Sequence, residues 1–244
     1  MGDAASLERR ARWAQIGLVA VMLTDLIGIW SAMRQIDLLD RAIAGEDIAL
    51  SSFESDDNRQ LVVALVQFVV LIAAVVLFLR WFHRAYVDLP RLGSERRFRT
   101  GWAIGGWFVP ILALWRPKQL ANDLWRGTEP VPGAPPPTSP AASWSWLLNV
   151  WWVGFVILGF LEQRAALAYW NAPFVEDAGP LATAGVIADA EQAQSAARLD
   201  LVSSIVDLPV ATLAILVVSA LTARHVARAA AEPAPPLPVA DAAP

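Results

Sequence analysis

The sequence predicts an all-α integral membrane protein, a four-helix transmembrane bundle with one further short hydrophobic segment and an interfacial amphipathic helix. Three observations lead there. Of the 244 residues, 56% are hydrophobic and only 17% are charged, too apolar a balance for an ordinary soluble domain. Four stretches, at about 13–33, 61–81, 144–161 and 201–223, approach or exceed the roughly 20 apolar residues that a helix needs to cross a bilayer. The Lys and Arg residues gather beside particular ends of these stretches instead of spreading evenly.

Residues 1–12 carry Arg9, Arg10 and Arg12 and read as a cytoplasmic tail. The first apolar run is too long for a signal-peptide core and no clear small-residue cleavage site follows it, so it reads as a retained span. Beyond it, Ile36, Leu39 and Ile43 recur at helical spacing and Gly45 is a stop. The first loop carries three Arg against seven acids, including Asp56 and Asp57, which places it outside. The second span ends in Arg80, Arg84, Arg91, Arg96, Arg97 and Arg99, which places that end inside.

Residues 101–127 hold a Trp-Gly-Pro segment. A helix from 101 to 115 would reach only about 22 Å of a roughly 30 Å core, and Gly105, Gly106 and Pro110 would interrupt it. If the segment crosses, Lys and Arg divide eleven inside to eight outside; if it does not, fourteen to five. The cleaner split favours a re-entrant or interfacial segment over a short fifth span. Trp102, Trp107 and Trp115 are residues that prefer the headgroup level. Gly101 and Gly105 form a G-x-x-x-G, readable as helix approach or as plain flexibility. Pro117 and Gly127 bracket a short helix with Leu120, Ala121, Leu124 and Trp125 on one face, expected to lie in the membrane plane. This segment, through Trp102, Gly105, Gly106, Trp107, Pro110, Pro117, Trp125 and Arg126, is a candidate surface for lipid headgroups or a protein partner. Simple anchoring at the interface is the alternative.

Residues 128–143 form a Pro-rich linker with polyproline character. After the third span, Glu162 and Arg164 read as solvated. Leu181 to Leu199 is Ala-rich and helical in character, extending the last span beyond the bilayer. Residues 229–244 are an Ala/Pro tail that cannot bury a core.

Ionisable residues inside a span are functional candidates by default. Asp25 lies about 12 Å and Asp207 about 9 Å from the outer boundary, and Gln67 comes to a similar depth. The three form one polar layer, with Pro209 close by to expose backbone carbonyls. Two readings stand: a proton or cation site, or interhelical hydrogen bonds that hold the bundle together.

Other chemistry is thin. There is no Cys, which excludes disulfides and thiolate metal sites. His83 and His225 are the only His residues, too few for a zinc site, and both read as interfacial. No nucleophile elbow, metalloprotease or phosphate-loop motif occurs. The expectation is therefore no cofactor, no metal and no enzyme. The partners expected are the lipid bilayer and either protein partners or further copies of the chain, but not nucleic acid. The Arg-rich, Ala-, Val- and Pro-rich composition looks like a high-GC bacterial genome, and the location expected is a bacterial plasma membrane with both termini cytoplasmic. A membrane scaffold or lipid/partner-interaction protein leads, ahead of a small transporter or channel-like subunit built on Asp25 and Asp207; an intramembrane enzyme is a remote third.

The succession FLRWFHRAYVDL, GWAIGGWFVPILALWRP and QLANDLWRG resembles the DUF4328 family, bacterial multi-pass membrane proteins of unknown function. The matching positions are Trp102, Ala103, Gly105, Trp107, Phe108, Val109, Pro110, Pro117, Leu124 and Trp125, with Arg126 beside them. The chain departs from the pattern at Thr100, where a Pro is expected, and at Asp88 and Ala113, near which Asn is expected. The resemblance is strongest over 77–127 and extends over about 13–225. It implies a helical membrane bundle and carries no catalytic residues.

Overall fold

The computed structural model describes residues 2–170 and 183–231. Six helices follow one another: α1 (Gly2–Ile43), α2 (Leu50–Val87), α3 (Trp102–Gly105), α4 (Arg116–Gly127), α5 (Leu147–Trp170) and α6 (Thr183–Ala229). No strand occurs among the described residues. α1, α2, α5 and α6 are each long and apolar enough to cross a membrane. At 1.5 Å per residue, the 42 residues of α1 and the 47 of α6 reach about 63 and 70 Å. Both therefore run well past the hydrocarbon core.

The helix ends follow local chemistry. At the end of α1, Gly45 adopts φ +81°, and the amides of Ala44, Gly45 and Glu46 return to the carbonyls of Asp40, Ala42 and Arg41. This is a helix stop that a residue with a Cβ resists. α4 begins with Pro117 in its first turn, where a missing amide costs nothing. Pro209 lies inside α6 without ending it; it leaves the Ile205 carbonyl, two residues before Asp207, without its usual amide partner.

The antiparallel pair of α1 and α6 is the spine. α2 packs on α1 and α5 packs on α6. Small buried residues, among them Ala14 and Ala32 on α1 and Ala196, Ala197 and Ala211 on α6, bring the backbones together as membrane helix contacts require. At Gly17 a Cβ would stand 3.0 Å from the Ala74 Cα, so α1 and α2 touch backbone to backbone there. Beyond the span, the Gln194 amide donates to the Asp40 carboxylate and Arg198 stands 3.8 Å from it.

α2 and α5 do not pack along one another. Their outward faces carry Leu65, Val69, Ile72 and Val76 on α2 and Val153, Ile157 and Phe160 on α5, all exposed. Large apolar side chains in this position are lipid-facing.

The core is thickest at one end. Leu7 and Ala11 of α1, Trp81, Phe82 and Tyr86 of α2, Leu120 and Leu124 of α4, Leu147 and Trp151 of α5, and Val217 and Leu221 of α6 form one buried cluster. The N-terminal end of α1, the C-terminal ends of α2 and α6, the start of α5, and all of α3 and α4 thus meet at one end of the bundle, the end that carries the Arg clusters. The Trp-Gly-Pro segment enters and leaves on that side of the bundle.

Two expectations change at this end. The apolar face of α4 does not lie on a membrane: Leu120, Ala121 and Leu124 are fully buried against protein, because the ends of α2 and α6 offer them a larger apolar partner. The Pro-rich linker does not run free to its end. Its last residues form a 3₁₀ turn (Pro140–Ser143) with Ala141 and Ala142 buried on α6. Residues 232–244 of the Ala/Pro tail lie outside the described residues.

Candidate functional site: a polar groove between helices two and five

With α2 and α5 apart, α1 and α6 form the back wall of a groove of about 590 Å³. Each helix contributes a stripe at helical spacing: Leu18, Val21 and Asp25 from α1, Gln67, Leu71, Ala74 and Phe78 from α2, Trp151, Phe155, Leu158 and Glu162 from α5, and Asp200, Ser204, Asp207, Ala211 and Ala214 from α6. The steps of three and four residues keep one face of each helix toward the groove. Polar groups cluster toward the acidic end and aromatic ones toward the basic end.

Asp25, Gln67 and Asp207, placed at one depth by counting residues, line this groove together. The Asp25 and Asp207 carboxyls lie within hydrogen-bonding reach of each other, and Gln67 reaches Asp25 as well. The Gln67 amide also donates to the Thr24 carbonyl at 3.4 Å. Gly28 makes room for it, since a Cβ there would stand 2.6 Å from Gln67 Nε2. Asp25 is only 7% exposed, and its Oδ2 is buried with no hydrogen-bond partner. Two ionised carboxylates are acceptors only, so their contact takes a proton or a cation between them.

Glu162 differs from expectation in part. It is exposed, as expected of a solvated acid, but it also lines the acidic end of the groove, in hydrogen-bonding contact with Ser203 and near Asp200 and Asp207. Asp200 lines the groove too. A signal for Asp200 was present: Asp200, Ser204, Asp207, Ala211 and Ala214 form one uninterrupted helical stripe.

The Trp-Gly-Pro segment closes the other end. Trp107 is half-buried in the protein. It inserts among Phe78, Phe82, Trp151, Trp152 and Phe155, with ring centroids 5.4 to 6.4 Å away and largely edge-on geometry. Such contacts add to the area the ring buries. Its indole N–H is buried with no acceptor.

Gly106 permits the turn into this insertion, because a Cβ there would meet the Trp102 carbonyl oxygen and Arg116 Cγ at 2.8 Å. A Cβ at Gly101 or Gly105 would meet nothing within 4 Å, so the G-x-x-x-G is not a helix-packing motif. Trp102 is half-buried beneath the Arg116 guanidinium, and Pro117 is buried in the core. Pro110, Phe108, Ile111 and Trp115 form an exposed apolar ridge, and Arg126 is exposed.

At the basic end burial raises the Asp123 carboxyl, which accepts a bond from the Tyr86 hydroxyl, and lowers the Lys118 ammonium. Neither His has a metal-binding arrangement around it: no group of three or more His, Asp or Glu that could hold a metal ion occurs among the described residues.

Arg224 is a functional-looking residue that proves architectural. It is buried and spans three partners: the Trp125 and Ala142 carbonyls, each at 2.9 Å, and the Thr128 hydroxyl at 3.3 Å. Its guanidinium also stacks on the Trp125 ring.

Four helices long and apolar enough to cross a membrane, with no strand among the described residues, define an all-α integral membrane protein. Within that class, residues 44–223 match the model of the domain of unknown function DUF4328, and the chain belongs to that family. No curated protein and no solved structure matches the chain.

Proposed function

We propose that this is a non-enzymatic protein of a bacterial plasma membrane that takes an amphipathic molecule from the bilayer into the groove between α2 and α5. The observation that carries this reading is the groove itself: apolar along most of its length, polar at one depth, and unsealed toward lipid because α2 and α5 stand apart. Ligand sites are concave, mostly apolar, and supplied with a few polar groups. Lipid interaction is thereby assigned to the groove, with Trp107 as its plug. The buried face of α4 is spent on packing, and the Phe108–Trp115 ridge serves to seat the basic end in the membrane interface.

The test is photolabelling in lipid nanodiscs with a long-chain alcohol bearing a diazirine in its tail. Adducts are expected on Phe78 and Phe155, inside the groove. Adducts confined to outward residues such as Val62 and Val69 overturn the reading.

A small transporter or channel-like subunit is the second reading, favoured by the Asp25–Asp207 contact. Both readings place the basic end and both termini in the cytoplasm, where Lys and Arg belong. The chain offers a Cys-free background for checking this. In intact cells an impermeant maleimide is expected to label the Asp47→Cys variant and spare Ala134→Cys; the reverse pattern inverts the topology.

A further inference from the structure

We infer that the molecule held in this groove is a lipophilic cation, an amphipathic amine or quaternary ammonium or phosphonium compound, with its charge between Asp25 and Asp207 and its apolar body on the aromatic end. The inference rests on the groove reading above and adds the charge of the ligand.

Among the described residues, four carboxyl groups line the groove: Asp25 from α1, Glu162 from α5, and Asp200 and Asp207 from α6. Neither α2 nor the Trp107 segment adds a titratable group, and no Lys, Arg or His among the described residues lines the groove. The lining is thus unbalanced in one sign. An anionic lipid or a fatty acid would bring a further negative charge into a site of low dielectric, where like charges repel strongly. A cation is attracted there for the same reason.

The second observation is Asp25 itself. It is more than nine-tenths buried, lines the groove, and keeps one carboxylate oxygen without any donor. Buried polar atoms are nearly always hydrogen-bonded, and an exception calls for a missing partner. A carboxyl beside another carboxyl calls for a positive one.

The shape of the groove then separates organic from inorganic cations. A metal ion needs several oxygens converging on one point, and no such group of acids exists among the described residues. The acids are instead strung along one wall from Asp200 to Asp207. Below them Phe155, Trp151, Phe78 and Trp107 present a continuous aromatic surface. A diffuse cation gains from both, by charge with the carboxylates and by cation–π and apolar contact with the rings. An alkali ion has no use for the rings.

The experiment is equilibrium dialysis of the full chain in zwitterionic nanodiscs against tetraphenylphosphonium and, separately, tetraphenylborate. The two are close to the same size and opposite in charge. The expected result is saturable binding of tetraphenylphosphonium and none of tetraphenylborate. Because protons compete for the same carboxyls, binding should weaken as the pH falls. The Asp25→Asn/Asp207→Asn pair should weaken it by about tenfold or more. Glu162→Gln alters a more exposed carboxyl at the groove's acidic end and should weaken it less, which keeps the test open if the double variant fails to fold.

Equal binding of both ions, insensitive to pH and to Glu162→Gln, overturns the cation and leaves the groove reading standing. Photolabelling inside the groove with no saturable phosphonium binding does the same. Absence of both labelling and binding overturns the two together.

Discussion

Trp107→Ala is expected to destabilise the protein by about 3 kcal/mol, near the lower end for removing a large aromatic from a core, because the ring is inserted but not wholly enclosed. In a chain of this length that corresponds to a fall in Tm of about 6–12 °C. The reason is the company Trp107 keeps. Its ring contacts five other aromatics drawn from α2 and α5, two helices that do not pack along one another and otherwise meet here through Phe78 and Trp151. Removing it leaves a hole that rigid neighbours cannot fill and loosens α2 from α5 at the basic end. Trp107→Phe keeps a ring in the hole and should retain most of the stability. Thermal unfolding of the detergent-purified protein measures the first effect. The second shows as faster maleimide reaction at Ala214→Cys, which lines the same groove, in the Trp107→Ala background. Unchanged Tm and unchanged labelling would mean that the segment rests at the membrane surface and plugs nothing.

That prediction could not have come from the sequence, for a physical reason. Trp is favoured both at headgroup level and in aromatic cores, so Trp102, Trp107 and Trp115 carry one signal and meet three fates: half-buried under an arginine, inserted, and exposed. Orientation depends on whether the turn at Gly106 can close, and that is settled by Arg116, ten residues away. α4 has the same ambiguity. A stripe of Leu120, Ala121 and Leu124 looks identical whether it meets lipid or protein.

What was legible depended on period and length. The four spans, the stop at Gly45 and the short helix between Pro117 and Gly127 follow from apolar runs and from glycine and proline chemistry, which act within a few residues. Counting 1.5 Å per residue from the charge boundary was enough to set Asp25, Gln67 and Asp207 at one level, because helices translate sequence into depth almost linearly. It did not give the groove. A groove exists because α2 and α5 stay apart, and separation between helices leaves no mark on either one. The place of Glu162 at the groove's acidic end was missed for the same reason: an exposed acid at the end of a span shows no groove unless the neighbouring helix is known.

Arg224→Ala is the second large effect, and it concerns assembly of the basic end. The Trp125 carbonyl belongs to the last turn of α4, where carbonyls lack helical partners and attract positive charge. The Ala142 carbonyl belongs to the 3₁₀ turn that ends the Pro-rich linker. One guanidinium bonds both, reaches Thr128 between them, and stacks on Trp125, so α4, the linker and α6 are fixed by one side chain. Hydrogen bonds to a charged group contribute about 1.5–3 kcal/mol each. Losing two to buried carbonyls should therefore cost at least about 3 kcal/mol. Arg224→Lys should recover only a fraction, since a single ammonium cannot reproduce a planar fork aimed at two carbonyls. The local consequence separates this from general destabilisation. With the 3₁₀ turn released, the linker between residues 128 and 143 should become cleavable by a broad-specificity protease well below the unfolding temperature, while α1 and α2 stay intact. Equal protease resistance in wild type and Arg224→Ala would show that the buried Ala141 and Ala142 hold the linker by packing alone.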